Sequence, residues 1–402
     1  MTRNLLTSDQ VALRLGVDLR TVYAYVSRGV LSRVLAEDGR TSRFDPAEVD
    51  ALARRGRPRK GKARVGAIDV SLATAITRVE SGRLSYRGID AVALAGSASF
   101  EQVAELLWTG ELSGAASFPI PEDAAKVLRA LHKAMPAASG PLDRFAAAAA
   151  ATAPLVPLRV DLQPSSVRAH ARRLVATFVD ALPVLEGARP AHAEASIAER
   201  LWGRLSPLPP RAATTGMLNA ALVLLADHEL ATSTMAARVA ASTRANPFAV
   251  VLAGLGALNG PLHGSAALGC HRLLVDAAAS APEPAVARAL AGGPLAGFGH
   301  PVYRGEDPRA VQLLEQVRAV ASRKERALID GVSAAAVTVS GAPPNVDFAL
   351  AAVAHVTQMA FGSTEAIFAL ARTAGWIAHA LEEYAEPPLR FRARAIFVGR
   401  PV

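Results

Sequence analysis

GFGHPVYRGEDPR, residues 297–309, interrupts a chain that otherwise reads as alanine-rich helix. Gly297 and Gly299 let the backbone turn tightly or pass close to a neighbour, Pro301 fixes φ and removes a donor, and His300 is held between them. Two other turns break the helical pattern in the same style. LNGPLHGSAALG (258–269) sets His263 between Pro261 and Gly264, and GAPPNVDF (341–348) sets Asp347 after two prolines. One such turn is a helix connection. Two histidines, an aspartate and an arginine (Arg309) on three of them form a candidate acid/base set.

The surrounding segments read as helices separated by Gly/Pro punctuation, with no run of alternating strands after residue 66. SFEQVAELLWTGEL illustrates the pattern: Ser99 as cap, Val103, Leu106 and Leu107 as the apolar face, Gly110 as stop. The nine histidines lack metal-ligand spacing, and the chain has neither a phosphate-binding glycine motif nor a CxxC, so no metal site is expected.

GPLHG, GFGHPVYRGEDPRA, NVDF and ARTAGWIAH, in this order and spacing, resemble the citrate synthases, and ITRVESGRLSYRGIDAVALAGSASFEQVAELLWTGELS resembles the N-terminal region of that family. The likeness covers nearly all of residues 66–402. It implies a mainly α fold, with a large domain at about 66–266 and 361–402 and a small domain at about 267–360. It also implies a homodimer whose sites borrow from both subunits. The implied reaction condenses acetyl-CoA with oxaloacetate to citrate, as in the tricarboxylic acid cycle, with no cofactor beyond the coenzyme A thioester substrate.

In that likeness Asp347 is the base that removes the acetyl proton, His263 hydrogen-bonds the thioester oxygen, and His300 polarises the oxaloacetate ketone. His228, Arg309 and Arg372 match substrate-binding positions. Arg392 matches the arginine that the family supplies across the dimer, although Ala393 replaces the usual following proline. Departures fall at Ser265, where the family usually carries glycine, at Ala267 (asparagine or serine), at Ala231 (asparagine) and at Ala349 (tyrosine), so rate and acyl preference are left open. 2-Methylcitrate synthesis from propionyl-CoA, the reverse cleavage of a citryl-type thioester, and a DNA-binding regulator that senses a CoA thioester or a dicarboxylate are the alternatives.

Charge points to the head of the chain. Residues 1–65 hold 14 Lys and Arg against 7 Asp and Glu, whereas the remainder holds 30 against 28, so most of the net charge of +9 sits there. LLTSDQVALRLGVDLRTVYAYVSRGVL reads as two short helices, capped by Thr7 or Ser8 and separated at Gly16. Val11, Leu15, Val22 and Val26 face inward; Arg20, Thr21, Tyr23 and Arg28 face outward. A hairpin with Asp38-Gly39 at its tip and a helix from Asp45 follow. Residues 1–53 resemble the winged helix-turn-helix of the MerR and excisionase type, a candidate for duplex DNA. Residues 54–65 form a basic linker in which Arg55-Gly56-Arg57-Pro58 resembles an AT-hook. The apolar stretches are too short or too diluted to span a bilayer, the N-terminus lacks a signal-peptide core, and the single cysteine, Cys270, has no internal partner. A cytoplasmic protein is expected.

Overall fold

Residues 5–15, 17–35, 41–46, 48, 49, 52, 70–112, 114, 117–260, 263, 264 and 266–392 are described by a computed structural model. The chain divides into two compact units, Met1–Leu72 and Ala73–Val402.

In the first unit β1 (Leu6–Thr7) leads into α1 (Ser8–Leu15) and α2 (Leu19–Ser27), followed by β2 (Val34–Leu35) and β3 (Ser42–Phe44). Of the two expected caps it is Thr7 that serves: its hydroxyl accepts the Gln10 N–H at 3.2 Å while the Gln10 side chain accepts the Thr7 N–H at 2.8 Å. Asp18 caps α2 through the Thr21 N–H at 2.7 Å. The strands pair antiparallel in the order β1-β3-β2, with Leu6 opposite Phe44 and Val34 opposite Arg43. Val11, Val22, Leu31, Phe44 and Val49 make a small core on which Leu15 and Val26 pack, as the helical spacing requires. Gly16, the Asp38-Gly39 tip and the linker from 54 to 65 lie outside the described residues.

The second unit opens with strands that the sequence reading missed. β4 (Thr77–Glu80), β5 (Arg83–Tyr86) and β6 (Ile89–Asp90) form an antiparallel meander. Ser81 and Gly82, at φ of 52° and 78°, make the two-residue turn whose twist suits a hairpin. Four-residue strands give too little alternation to be seen against helical neighbours.

Helices then take over: α3 (Ala91–Ser97), α4 (Phe100–Thr109), α5 (Glu122–Ala134), α6 (Pro141–Thr152), α7 (Pro164–Ala181), α8 (Ile197–Leu205), α9 (Ala212–Leu225) and α10 (Thr232–Ser242). They continue with α11 (Pro247–Leu258), α12 (Ala266–Ala279), α13 (Pro282–Ala291), α14 (Pro308–Val320), α15 (Arg323–Ser340), α16 (Val346–Val356) and α17 (Ser363–Ala385). The mainly α expectation holds. Ser99 and Gln102 form the reciprocal cap of α4, and Gly110 closes it at φ 86°. Helix α17 is buried along nearly its whole length. It approaches α11 so closely that a Cβ on Gly254 would lie 2.6 Å from Trp376. Among the described residues no helix is long and apolar enough to cross a membrane.

Candidate active site

Gly297 and Gly299 both adopt left-handed backbone, at φ 82° and 74°. A side chain at Gly297 would collide with Cys270 Sγ and crowd Phe348, so only glycine lets this turn sit against α12 and α16. The turn is stitched to the segment before α16. The Gly299 N–H donates to the Pro343 carbonyl, the Asn345 N–H to the Gly297 carbonyl, and Asn345 Nδ2 to the Gly299 carbonyl, each at 2.8 Å. Two segments far apart in sequence thereby bring His300 and Asp347 to one place.

His300 Nδ1 accepts main-chain N–H groups from Val302 at 3.1 Å and Tyr303 at 3.4 Å. A main-chain N–H can only donate, so the neutral ring carries its proton on Nε2. Burial, then the Arg309 charge, bring its pKa down to about 4, with Asp307 opposing. The ring stays neutral at physiological pH and can donate from Nε2.

Asp307, which the sequence reading passed over, ties three parts together. Its carboxylate caps α14 through the Arg309 N–H at 3.0 Å and holds the Arg309 guanidinium through Nε at 2.9 Å and Nη2 at 2.8 Å. It also accepts the Val346 N–H at 3.0 Å, fixing the start of α16. Two of the three Arg309 nitrogens are thus already engaged. Arg309 stacks over Tyr303 with Cζ 5.4 Å from the ring centroid.

Asp347 occupies the first turn of α16, its N–H accepted at 2.9 Å by the capping Asn345 side chain. Its Oδ1 is buried with no hydrogen-bond partner among the described residues. A helix N-terminus stabilises a carboxylate, yet here burial dominates. Its pKa is raised to about 6, Asp307 adding to the rise while Arg309 and Arg372 oppose it.

His263 follows the end of α11, its N–H bonded to the Gly260 carbonyl at 2.9 Å. Gly264 is packed so tightly on Leu258 that a Cβ would lie 2.7 Å from the Leu258 carbonyl oxygen. The His263 Nε2 accepts the Ser233 N–H at 3.3 Å and lies 2.8 Å from the Ser233 hydroxyl. Its neutral ring therefore keeps the proton on Nδ1. Burial, then Arg372, lower its pKa to about 4.

His228 sits on the turn between α9 and α10, which is clamped residue by residue. Leu225 O accepts Arg372 Nε at 3.0 Å, Ala226 O accepts the Gly375 N–H at 3.0 Å, and the Tyr86 hydroxyl donates to Asp227 O at 3.1 Å. The Asp227 carboxylate accepts the Thr77 hydroxyl at 2.6 Å and faces His379 Nε2 at 3.3 Å. Glu229 is held at φ 50° with its carboxylate on the Val79 N–H at 3.1 Å. His228 Nε2 then meets the Tyr303 hydroxyl at 3.0 Å, and its ring lies 5.1 Å from His300. Burial, then Arg309, Arg372 and His300, hold it well below the ordinary histidine range. Arg372, buried on α17 with Cζ 4.7 Å from the Phe368 ring, is the charge that His228, His263 and Asp347 all feel.

His228, His263, His300, Arg309, Asp347 and Arg372 thus fall into one cluster of contacts and charges, to which the structure adds Ser233, Tyr303 and Asp307. Tyr303 and Asp307 lie inside the quoted stretch; Ser233 carries no sequence signal. Arg392 is exposed beyond α17 and does not join the pocket within this chain. Ala231 stands at the N-cap of α10 without a side-chain bond, while Ala267 and Ala349 are buried among apolar neighbours. Ser265 lies outside the described residues. In the first unit Arg20 and Arg28 are exposed and Tyr23 is 54% exposed. Thr21 is instead tied to Asp18 by its hydroxyl at 2.8 Å. Arg55 and Arg57 lie outside the described residues.

Residues 69–395 match the family model for the citrate synthase C-terminal domain, and residues 5–57 match that for a helix-turn-helix domain. The chain is 32% identical to a citrate synthase of Synechocystis over 79% of its own length and 85% of that protein. It is 30% identical to a 2-methylcitrate synthase of Mycobacterium tuberculosis, covering 77% of this chain and 84% of that one. The crystal structure of citrate synthase from Thermotoga maritima superposes with a TM-score of 0.67 at 25% identity, covering 82% of this chain and 93% of that one.

Proposed function

The chain belongs to the citrate synthase family, and from that premise we propose that its pocket condenses acetyl-CoA with oxaloacetate and hydrolyses the resulting thioester to citrate and free CoA. The observation that carries this reading is the polarity of the three central groups. Two neutral imidazoles have their protonated nitrogens fixed by main-chain donors, beside a carboxylate whose pKa is raised to about 6.

Asp347 removes a proton from the acetyl methyl group. His263 Nδ1–H donates to the thioester oxygen as enolate character develops, and His300 Nε2–H donates to the ketone oxygen that becomes the alkoxide. The new carbon–carbon bond gives a citryl thioester, and water then cleaves it. Arg309 through its remaining nitrogen, Arg372 and His228 hold the dicarboxylate. Arg392 reaches the pocket of a second copy in a homodimer, with the large domain at 66–266 and 361–402 and the small domain at 267–360. No cofactor beyond the thioester substrate takes part. The acyl group is open to exchange, because one methylene is worth only about 1 to 3 kcal/mol in an apolar pocket.

The helix-turn-helix match supports a second role, duplex DNA binding by Arg20, Tyr23 and Arg28 in a cytoplasmic protein. Solvent exchange of the α-protons of acetyl-CoA, followed in heavy water with oxaloacetate present, tests the chemistry. Asp347→Asn should lose the exchange while keeping the fold. Exchange at the unsubstituted rate would remove Asp347 as base.

A further inference from the structure

The C-terminal end of α17 is fastened far more firmly than a trailing chain end requires. Glu383 is fully buried and accepts two guanidinium groups: Arg238 through Nε at 3.1 Å, and Arg390 through Nε and Nη2, both at 2.7 Å. Arg238, itself buried on α10, also reaches Glu382 at 3.0 Å and His379 Nδ1 at 2.9 Å, so it is well satisfied without a further partner. The second guanidinium on Glu383 is the one supplied by the outgoing segment.

The backbone leading to it, and the turn after α10 that receives it, each hold a non-glycine residue in left-handed backbone. Leu389 sits at φ 57° with its N–H on the Ser242 carbonyl at 2.9 Å. Arg244, at φ 63°, bonds the Glu383 carbonyl at 3.0 Å and the Glu386 carbonyl at 2.6 Å. Left-handed backbone at residues other than glycine persists only where the surroundings over-determine it. Arg390 then lies over the Phe391 ring at 5.3 Å, and the next residue, Arg392, points out exposed.

We infer that the Arg238–Glu383–Arg390 ladder is a positioning device that aims Arg392 into the oxaloacetate pocket of a second copy of this chain, with Arg390 acting in trans through Arg392. The inference rests on the reading that Arg392 completes the neighbouring subunit's site. A bidentate guanidinium–carboxylate pair fixes direction as well as distance, which is what a residue delivered across an interface needs. The ladder also runs inward, from Arg238 through His379 to Asp227 beside His228. A role confined to its own subunit is therefore the competing explanation.

Mixed dimers separate the two. Homodimers of Arg390→Ala should show an oxaloacetate KM raised roughly tenfold or more, the loss of about one charged contact, with a smaller change in kcat. Arg390→Lys, which keeps the charge but cannot span both carboxylate oxygens, serves if the alanine chain does not fold. In heterodimers of Arg390→Ala with Asp347→Asn, isolated with two different tags, one pocket combines an intact Asp347 with an intact incoming segment. That pocket should work at the ordinary oxaloacetate KM, giving about half the activity of the unsubstituted dimer. If these heterodimers gain nothing while Arg392→Ala with Asp347→Asn does regain activity, Arg390 acts inside its own subunit and the inference is overturned, with the Arg392 reading intact. Absence of rescue in both pairs removes Arg392 from the neighbouring site, and the ladder's role with it. An unchanged KM in Arg390→Ala homodimers also overturns it.

Discussion

Two imidazoles in one pocket carry their protons on opposite ring nitrogens, and in each a main-chain N–H decides which. Ser233 holds His263 Nε2 as an acceptor, and Val302 does the same for His300 Nδ1. Both rings have pKa values of about 4, so they are neutral donors across the physiological range. Asp347, at about 6, is the pocket group that changes charge nearest to neutrality. A base must be deprotonated to act, so kcat/KM for the thioester should be level above pH 7 and fall tenfold per unit below about pH 6. An acid limb near pH 4, the range of an ordinary aspartate, would contradict the burial argument. His263, His300, Asp347 and Arg309 were legible in the sequence because they stand on or beside turns marked by glycine and proline, whereas His228, on a turn with neither, and Arg372, in the middle of α17, were reached only through the family resemblance. The tautomers were not legible, since they depend on main-chain donors such as Ser233 that the fold brings from elsewhere.

At the scale of elements, α17 and the turn after α9 behave as one part. Gly375 is where they touch: a Cβ there would fall onto Asp227 Oδ1 and lie 2.6 Å from the Ala226 carbonyl oxygen. Gly375→Ala should cost on the order of 3 kcal/mol in denaturant unfolding, an overpacking penalty, and displace His228 as well. Gly216→Ala, on an exposed face of α9 with open space around it, should instead gain about 0.5 to 1 kcal/mol from helix propensity. Equal effects would mean that the Gly375 contact is not tight. Helix ends such as Ser99 and Gly110 could be read from sequence because cap chemistry is local. The β4–β6 meander could not, because its strands are short and its pairing is set by Tyr86 and Thr77 docking on the Asp227 turn. Arg392 was named from the sequence, but the pairing that holds the segment just before it, Glu383 buried between Arg238 and Arg390, shows only once α10 and α17 are packed.

The whole molecule joins a basic head to a nearly neutral body. Phosphate contacts release counterions, so DNA binding by the full chain should fall linearly on a log–log plot of affinity against salt. A chain that begins at Gly66 should lose this binding. A preference for A·T-rich flanks that disappears on changing Arg55 and Arg57 to Ala would assign the linker to the minor groove. Equal binding with and without the head would remove it as the DNA-binding unit. The body is the larger claim, and release of free CoA thiol tests it most directly. The assay takes the full chain, the chain from Gly66 and Asp347→Asn, each with oxaloacetate and either acetyl-CoA or propionyl-CoA. The pocket described here predicts oxaloacetate-dependent release at similar rates by the first two, and loss of at least a thousandfold in the third, as expected for a group acting directly on the reacting proton. No release with either thioester, or release that persists in Asp347→Asn, would contradict it.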